Sequence, residues 1–172
     1  MKRGLFVGRF QPFHNGHLEA VRRILKECDE LVIAVGSSQR SHERENLFTA
    51  GERVEMIHES LKEAGLLGRC VIVTIPDINN NALWVPHLSV LVPKYDVVYS
   101  NNALVSRLFK EAGRKVKSLE LIDRAQLDGT YIRRLMLRGG RWERFVPKAV
   151  AALARKVRAE ERLKEVSGSD KV

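Results

Sequence analysis

Short apolar runs alternate with segments whose apolar residues recur at helical spacing, and this alternation limits the possible folds more than any other feature of the sequence. Gly4–Gly8, Leu31–Gly36, Cys70–Ile75, Tyr95–Tyr99 and Lys115–Leu121 read as buried strands. Between them, helical faces are formed by Leu18, Val21, Leu25 and Cys28, by Val54, Ile57, Leu61 and Ala64, by Leu83–Leu91, and by Leu104–Ala112. The connections are too long for hairpins, so the strands are expected to run parallel through right-handed crossovers, with helices on both faces. The expected fold is therefore α/β, a single Rossmann-like doubly wound parallel sheet of about five strands, with ligands at the strands' carboxyl ends.

After Leu121 only helical signals remain: Thr130–Leu137, a turn through Gly139 and Gly140, and one last helix from Pro147 to Val166. The chain of 172 residues is expected to form one domain over 1–166, a parallel core to 121 and helices over 122–166, followed by a flexible tail over 167–172. Thr49 and Glu52 are spaced as a capping box, and Gly65 and Gly113 stand where helix C-caps belong. Cys28 and Cys70 lie in apolar stretches without metal-ligand spacing and read as buried free thiols. No apolar run approaches the roughly 20 residues of a membrane span, and the first residues turn polar too soon for a signal peptide, so a cytoplasmic protein is expected.

Lys and Arg number 30 against 21 Asp and Glu, a formal net charge of +9. That balance suits a polyanion, either a nucleic acid or a nucleoside polyphosphate. Arg155, Lys156, Arg158 and Arg162 alternate with Val150, Leu153, Val157 and Leu163, so the basic residues are expected on a solvated face rather than on a nucleic-acid arm.

Directly after the first strand comes Gly8-Arg9-Phe10-Gln11-Pro12-Phe13-His14-Asn15-Gly16-His17, and then a helix. A helix N-terminus offers unpaired N–H groups and partial positive charge, and it attracts phosphate; imidazoles nearby add donors, and Gly16 permits close backbone approach. Late in the chain, Asp128-Gly129-Thr130-Tyr131-Ile132-Arg133 makes a second helix opening, read as starting at Thr130 with Arg133 one turn inside.

His14-Asn15-Gly16-His17 resembles the HxGH motif of the nucleotidyltransferase superfamily, and GRFQPFHNGH is similar to the version found in archaeal nicotinamide mononucleotide (NMN) adenylyltransferases. Thr130 and Arg133 match the superfamily's second phosphate motif. The resemblance implies adenylyl transfer from ATP to NMN, giving NAD⁺ and pyrophosphate, with Mg²⁺ bridging the phosphates. It also implies a hexamer or another closed homo-oligomer; the residues themselves point to no membrane partner and away from nucleic acid. The implied catalytic residues are His14, His17, Arg9 and Arg133. ATP is expected at Gly8, Arg9, Phe10, His14, Gly16, His17, Asn102, Thr130 and Arg133. The NMN phosphate is already ionised, so the attack needs no general base; charge stabilisation and positioning suffice, and imidazolium forms of the histidines would help most.

Asp77-Ile78-Asn79-Asn80-Asn81-Ala82-Leu83-Trp84 resembles the archaeal stretch in which tryptophan stacks on nicotinamide, which assigns Ile78, Asn81 and Trp84 to NMN. A pyridinium ring stacks well on an indole face, and a carboxamide pairs with side-chain amides. Arg44 is added as a phosphate contact on that side. Three positions depart from the relatives' pattern: Asp128 replaces a small or hydroxyl residue, Asn101 a glycine, and Glu45 a basic residue. Asparagine tolerates a left-handed backbone, so Asn101 can stand in for the glycine. Two other readings stay open here. One is a related HxGH enzyme acting on pantetheine phosphate, flavin mononucleotide or glycerol phosphate. The other is a noncatalytic nucleotide- or RNA-binding protein that keeps the fold.

Overall fold

The computed structural model describes residues 1–119 and 128–169. In chain order these form β1 (Arg3–Gly8), α1 (Asn15–Glu27), β2 (Glu30–Val35), α2 (Ala50–Glu63), β3 (Cys70–Thr74), α3 (Asn81–Leu91), β4 (Val97–Tyr99), α4 (Ala103–Glu111), β5 (Val116–Lys117), α5 (Gly129–Leu137), α6 (Lys148–Lys156) and α7 (Ala159–Ser169). The strands run parallel in the order β3-β2-β1-β4-β5, the doubly wound sheet that the alternation predicts. From β1 the chain winds outward to β2 and β3, then returns to lay β4 and β5 on the other side. The crevice beyond the carboxyl ends of β1 and β4 is therefore the topological switch point, where such sheets bind ligands.

Successive strand side chains point to opposite faces, and both faces are covered, so the strands carry apolar residues without interruption. Leu5, Val32, Ala34 and Val98 pack with Val85, Leu88 and Phe109 of α3 and α4. Phe6, Leu31, Ile33 and Tyr99 pack on the other side with Ile24, Met56, Ile132, Met136, Val150 and Leu163. The Thr49–Glu52 capping box forms, with Glu52 N–H to Thr49 Oγ1 at 3.1 Å and Thr49 N–H to Glu52 Oε2 at 3.0 Å. Gly65 and Gly113 close α2 and α4 at φ 69° and 71°, a conformation that costs glycine no Cβ clash.

Five expectations are corrected. Strand pairing at β5 ends at Lys117, and Glu120 and Leu121 lie outside the described residues. The single last helix is two helices, broken at Arg158, whose φ is 54°. A left-handed residue costs about 1–2 kcal/mol; in return the turn buries Ala159 and Leu163, and it lets Glu160 accept from Trp142 Nε1 at 2.6 Å. The same turn brings Arg162 onto Glu52 rather than into solvent, whereas Arg155, Lys156 and Arg158 are exposed. α7 also continues to Ser169, past the expected start of the tail, and residues 170–172 lie outside the described ones. Lastly, Cys28 is buried but Cys70 only half-buried; burial pushes the Cys70 thiol up to about 11, so it stays protonated. Among the described residues no helix is long and apolar enough to cross a membrane.

Candidate active site

His14 is the N-cap of α1, and the two histidines cap each other. The His17 N–H donates to His14 Nδ1 at 3.3 Å, and the His14 N–H donates to His17 Nδ1 at 3.2 Å. Their rings stack with centroids 3.5 Å apart. A ring that accepts at Nδ1 must carry its neutral-state proton on Nε2, so each imidazole retains an Nε2–H donor. Phe10 meets His17 edge-to-face with ring centroids 4.8 Å apart, and Phe13 stacks on the same ring at 5.5 Å. Phe10, itself 2% exposed, therefore serves as the buried platform beneath His17. Gly8 is required beside it, because a Cβ there would fall 2.9 Å from the Phe10 ring.

Burial pulls His14 from its ordinary 6.5 down to about 4, opposed by the attraction of Asp128. Burial and His14 together hold His17 well below its ordinary range. Both rings are thus neutral in the free protein at neutral pH, and the attraction of Asp128 offsets only part of the cost of burying charge on His14. A pH dependence follows. The unfolded chain takes up His14's proton near 6.5 and the folded one only near 4, so the stability present above 6.5 is lost as pH falls through that window. The urea midpoint is expected to decline as pH falls from about 6.5 to about 5.5, before most carboxylates begin to titrate. A His14→Asn variant, which keeps a capping oxygen but no titrating ring, should flatten that decline.

The two helix openings meet directly. Arg133, buried on α5, donates through Nη1 to the Gln11 carbonyl at 2.6 Å and through Nε to the Arg44 carbonyl at 3.0 Å. Its Nη2 lies 3.5 Å from Thr130 Oγ1. Gly129 makes the approach possible, since a Cβ there would stand 3.0 Å from the Gln11 carbonyl oxygen. Asp128, not Thr130, is the N-cap of α5, and its carboxylate accepts the Thr130 N–H at 3.2 Å. Its charge thus settles on the positive end of the helix dipole. Arg9, Arg44, Thr130, Arg133 and Arg134 surround a cleft of about 230 Å³, with Glu45 3.7 Å from Arg9. Arg44 lines this cleft and not the one that holds Trp84.

A larger cleft of about 500 Å³ is lined by Gly8, Arg9, Ile78, Asn81, Trp84 and Asn102. Trp84 is half-buried, held edge-to-face by Phe109 at 5.6 Å. Asn80 caps α3 through bonds from Ala82 N–H and Leu83 N–H at 3.1 and 3.3 Å, which leaves Asn81 exposed at the rim. Asn102 caps α4 and also lines a small cavity beside His17. Arg9 is shared by the phosphate-side and tryptophan clefts, and Asn102 links the tryptophan side to His17. Gly16 is buried in the first turn of α1. Asn101 does not take the left-handed backbone; its amide instead exchanges two hydrogen bonds with Leu119, at 2.7 and 2.8 Å.

Two supporting residues escaped the sequence reading. Gln11 clamps Phe48, accepting its N–H at 2.8 Å and donating to its carbonyl at 2.9 Å. Arg53 is fully buried and donates to the carbonyls of Arg9, Gly36, Ser37 and Thr49 at 2.8, 2.7, 3.0 and 3.3 Å. Burial pulls its guanidinium down to about 10, so it stays charged. The signal was present: Arg53 shares the i, i+3, i+4, i+7 stripe with Met56, Ile57 and Ser60, all buried. Arg53→Met leaves those carbonyls unpaired and is expected to cost on the order of 3 kcal/mol, read as a shift in the urea midpoint.

Residues 5–135 match the cytidylyltransferase-like family. The nicotinamide-nucleotide adenylyltransferase of Archaeoglobus fulgidus is 48% identical, over 98% of this chain and 99% of that one. The enzyme of the same name from Saccharolobus solfataricus is also 48% identical, over 99% of this chain and all of that one. Among solved structures, a bifunctional NMN adenylyltransferase/ADP-ribose pyrophosphatase from Francisella tularensis, complexed with AMP and a manganese ion, superposes at a TM-score of 0.83. It is 21% identical and covers 98% of this chain, which in turn spans 53% of that chain, so the likeness concerns the fold. With the HxGH pair, the second helix opening and the doubly wound sheet in place, the chain belongs to the cytidylyltransferase-like family of nucleotidyltransferases, alongside the archaeal nicotinamide-nucleotide adenylyltransferases.

Proposed function

We propose that the protein transfers the adenylyl group of ATP to NMN, yielding NAD⁺ and pyrophosphate. The observation that carries this reading is the 2.6 Å bond from Arg133 to the Gln11 carbonyl, which holds the two phosphate-seeking helix openings against one another. An NMN phosphate oxygen attacks the α-phosphorus of ATP; that P–O bond forms as the bond to the β-phosphate oxygen breaks, and pyrophosphate departs with the electron pair. The nucleophile is an anion already, so no side chain has to remove a proton.

In this reading the neutral His17 donates through Nε2–H to the α-phosphoryl oxygens, where negative charge grows in the transition state. His14 and Arg9 hold ATP phosphates, and Arg133, with Thr130 beside it, faces the leaving group. Triphosphate binding brings negative charge to the histidines and raises their proton affinity, so the cationic form becomes accessible only in the complex. ATP arrives as a divalent-metal complex, for which we propose Mg²⁺. Among the described residues no three His, Cys, Asp or Glu side chains are grouped to hold a metal, so phosphate oxygens and water would supply the ligands.

The larger cleft receives NMN, with nicotinamide against Trp84 and its carboxamide near Asn81; Ile78 closes the apolar side. We further propose one catalytic domain over 1–166, a cytoplasmic location, and a closed homo-oligomer up to a hexamer. Sedimentation checks the last of these. Pyrophosphate release measured with ATP, Mg²⁺ and a panel of acceptors tests the activity. NMN should be preferred, and a preference for pantetheine phosphate, flavin mononucleotide or glycerol phosphate would replace this reading with one of its relatives.

A further inference from the structure

The segment between β2 and α2 carries Arg44 and Glu45 into the phosphate-side cleft. Its inner restraints come from around the site: Gln11 clamps Phe48, Arg133 holds the Arg44 carbonyl, and Arg53 holds the Ser37 carbonyl. Its outer face meets α7. Arg162 forks onto Glu52, Nη1 to Oε2 at 2.7 Å and Nη2 to Oε1 at 2.9 Å, and its Nη1 also reaches the Leu47 carbonyl at 3.3 Å. Both side chains are largely shielded, 16% and 19% exposed, unlike the surface ion pairs elsewhere on the molecule. The same Glu52 carboxylate accepts the Thr49 N–H that starts α2. The following residue, Leu163, is itself part of the cleft wall.

We propose that α7 acts as an external brace for ATP binding, with Arg162 and Glu52 as positioning residues that fix the Arg44–Thr49 segment against Arg9 and Arg133. Two features favour placement over mere stability. The fork ends on Glu52, the capping-box residue in the first turn of α2, and on the carbonyl of Leu47, three positions after Arg44. α7 is also pinned independently by the Trp142–Glu160 bond and by burial of Ala159 and Leu163, so loss of the fork frees the segment before it frees the helix. Without the fork, Arg44 and the Arg133 partner carbonyl drift, and the cations no longer converge on one triphosphate. The tryptophan cleft does not contain Arg162, Glu52 or Leu163 and should be unaffected.

This inference rests on the adenylyl-transfer reading but fails separately from it. In Arg162→Met the KM for ATP is expected to rise about tenfold, with the KM for NMN and kcat within about threefold of the parent, since modest misplacement of a clamping group weakens binding before chemistry. Arg162→Lys keeps the charge but loses the fork, and should give an intermediate KM for ATP. A brace that is only structural would lower the melting temperature and leave the KM for ATP unmoved, an outcome that overturns the proposal; so would an equal rise in both KM values. If Arg162→Met does not fold, Glu52→Gln, which keeps an oxygen for the Thr49 N–H, carries the same test and should raise the KM for ATP about threefold. If the parent protein makes no NAD⁺, the adenylyl reading is what has failed. The brace is then read by equilibrium dialysis of ATP, where unchanged affinity in both variants rejects it and weakened affinity supports it.

Discussion

Replacing His17 with alanine is expected to lower kcat by about 100- to 1,000-fold, the usual loss when one preorganised donor to a developing oxyanion is removed. The ring is well placed for that work. Its Nδ1 is committed to the His14 N–H, which fixes the proton on Nε2, and Phe10 and Phe13 pack against it from two directions. The alanine also deletes half of a reciprocal cap, so a loss of about 1 kcal/mol in stability should accompany the loss of turnover. His17→Gln separates the two effects, because glutamine at the third helical position restores the cap without an imidazole. The glutamine variant should recover the parent urea midpoint and remain slow. Turnover near the parent value in either variant would remove His17 from the chemistry.

Trp84→Ala should raise the KM for NMN by about 10- to 100-fold, in line with the loss of one aromatic stacking platform for a cationic ring, while the KM for ATP changes by no more than about twofold. The cleft geometry predicts this asymmetry, because Trp84 lines only the larger cleft, whereas Arg44, Thr130 and Arg133 line the other. Fluorescence gives an independent readout. The chain has two tryptophans, and Trp142 is 1% exposed with its indole N–H bonded to Glu160. Quenching by NMN should therefore come from Trp84 and vanish in the alanine variant. Quenching that survives the substitution, or an equal rise in the KM for ATP, would place nicotinamide elsewhere.

Much of the site's location could be read from the chain. The strand–Gly–HxGH–helix order put two histidines at a helix start, and Asn81 and Trp84 fell just after the third strand, at the same edge of the sheet. Motif reading failed where a side chain's role depends on a partner distant in sequence. The motif matched Arg133 to a phosphate position by spacing alone and could not show that two of its nitrogens bond to the carbonyls of Gln11 and Arg44, 122 and 89 residues away. Nor could the sequence place Arg44 on the phosphate-side cleft that it lines, since a loop's spacing does not say which neighbouring wall it lies against. Asn101 was expected to substitute for glycine through its backbone and instead uses its side chain on Leu119.

Local periodicity and cap chemistry determined the strands, the helices and their order, because apolar spacing and helix-end hydrogen bonds act within a few residues and are written directly in the chain. The tertiary structure decided the break at Arg158, the burial of Arg53, the neutral state of the two histidines and the grip of Arg162 on Glu52. Each of these depends on what closes over a group from far along the chain: desolvation sets the proton affinity of an imidazole, and a left-handed residue is tolerated only when the contacts it permits outweigh its strain.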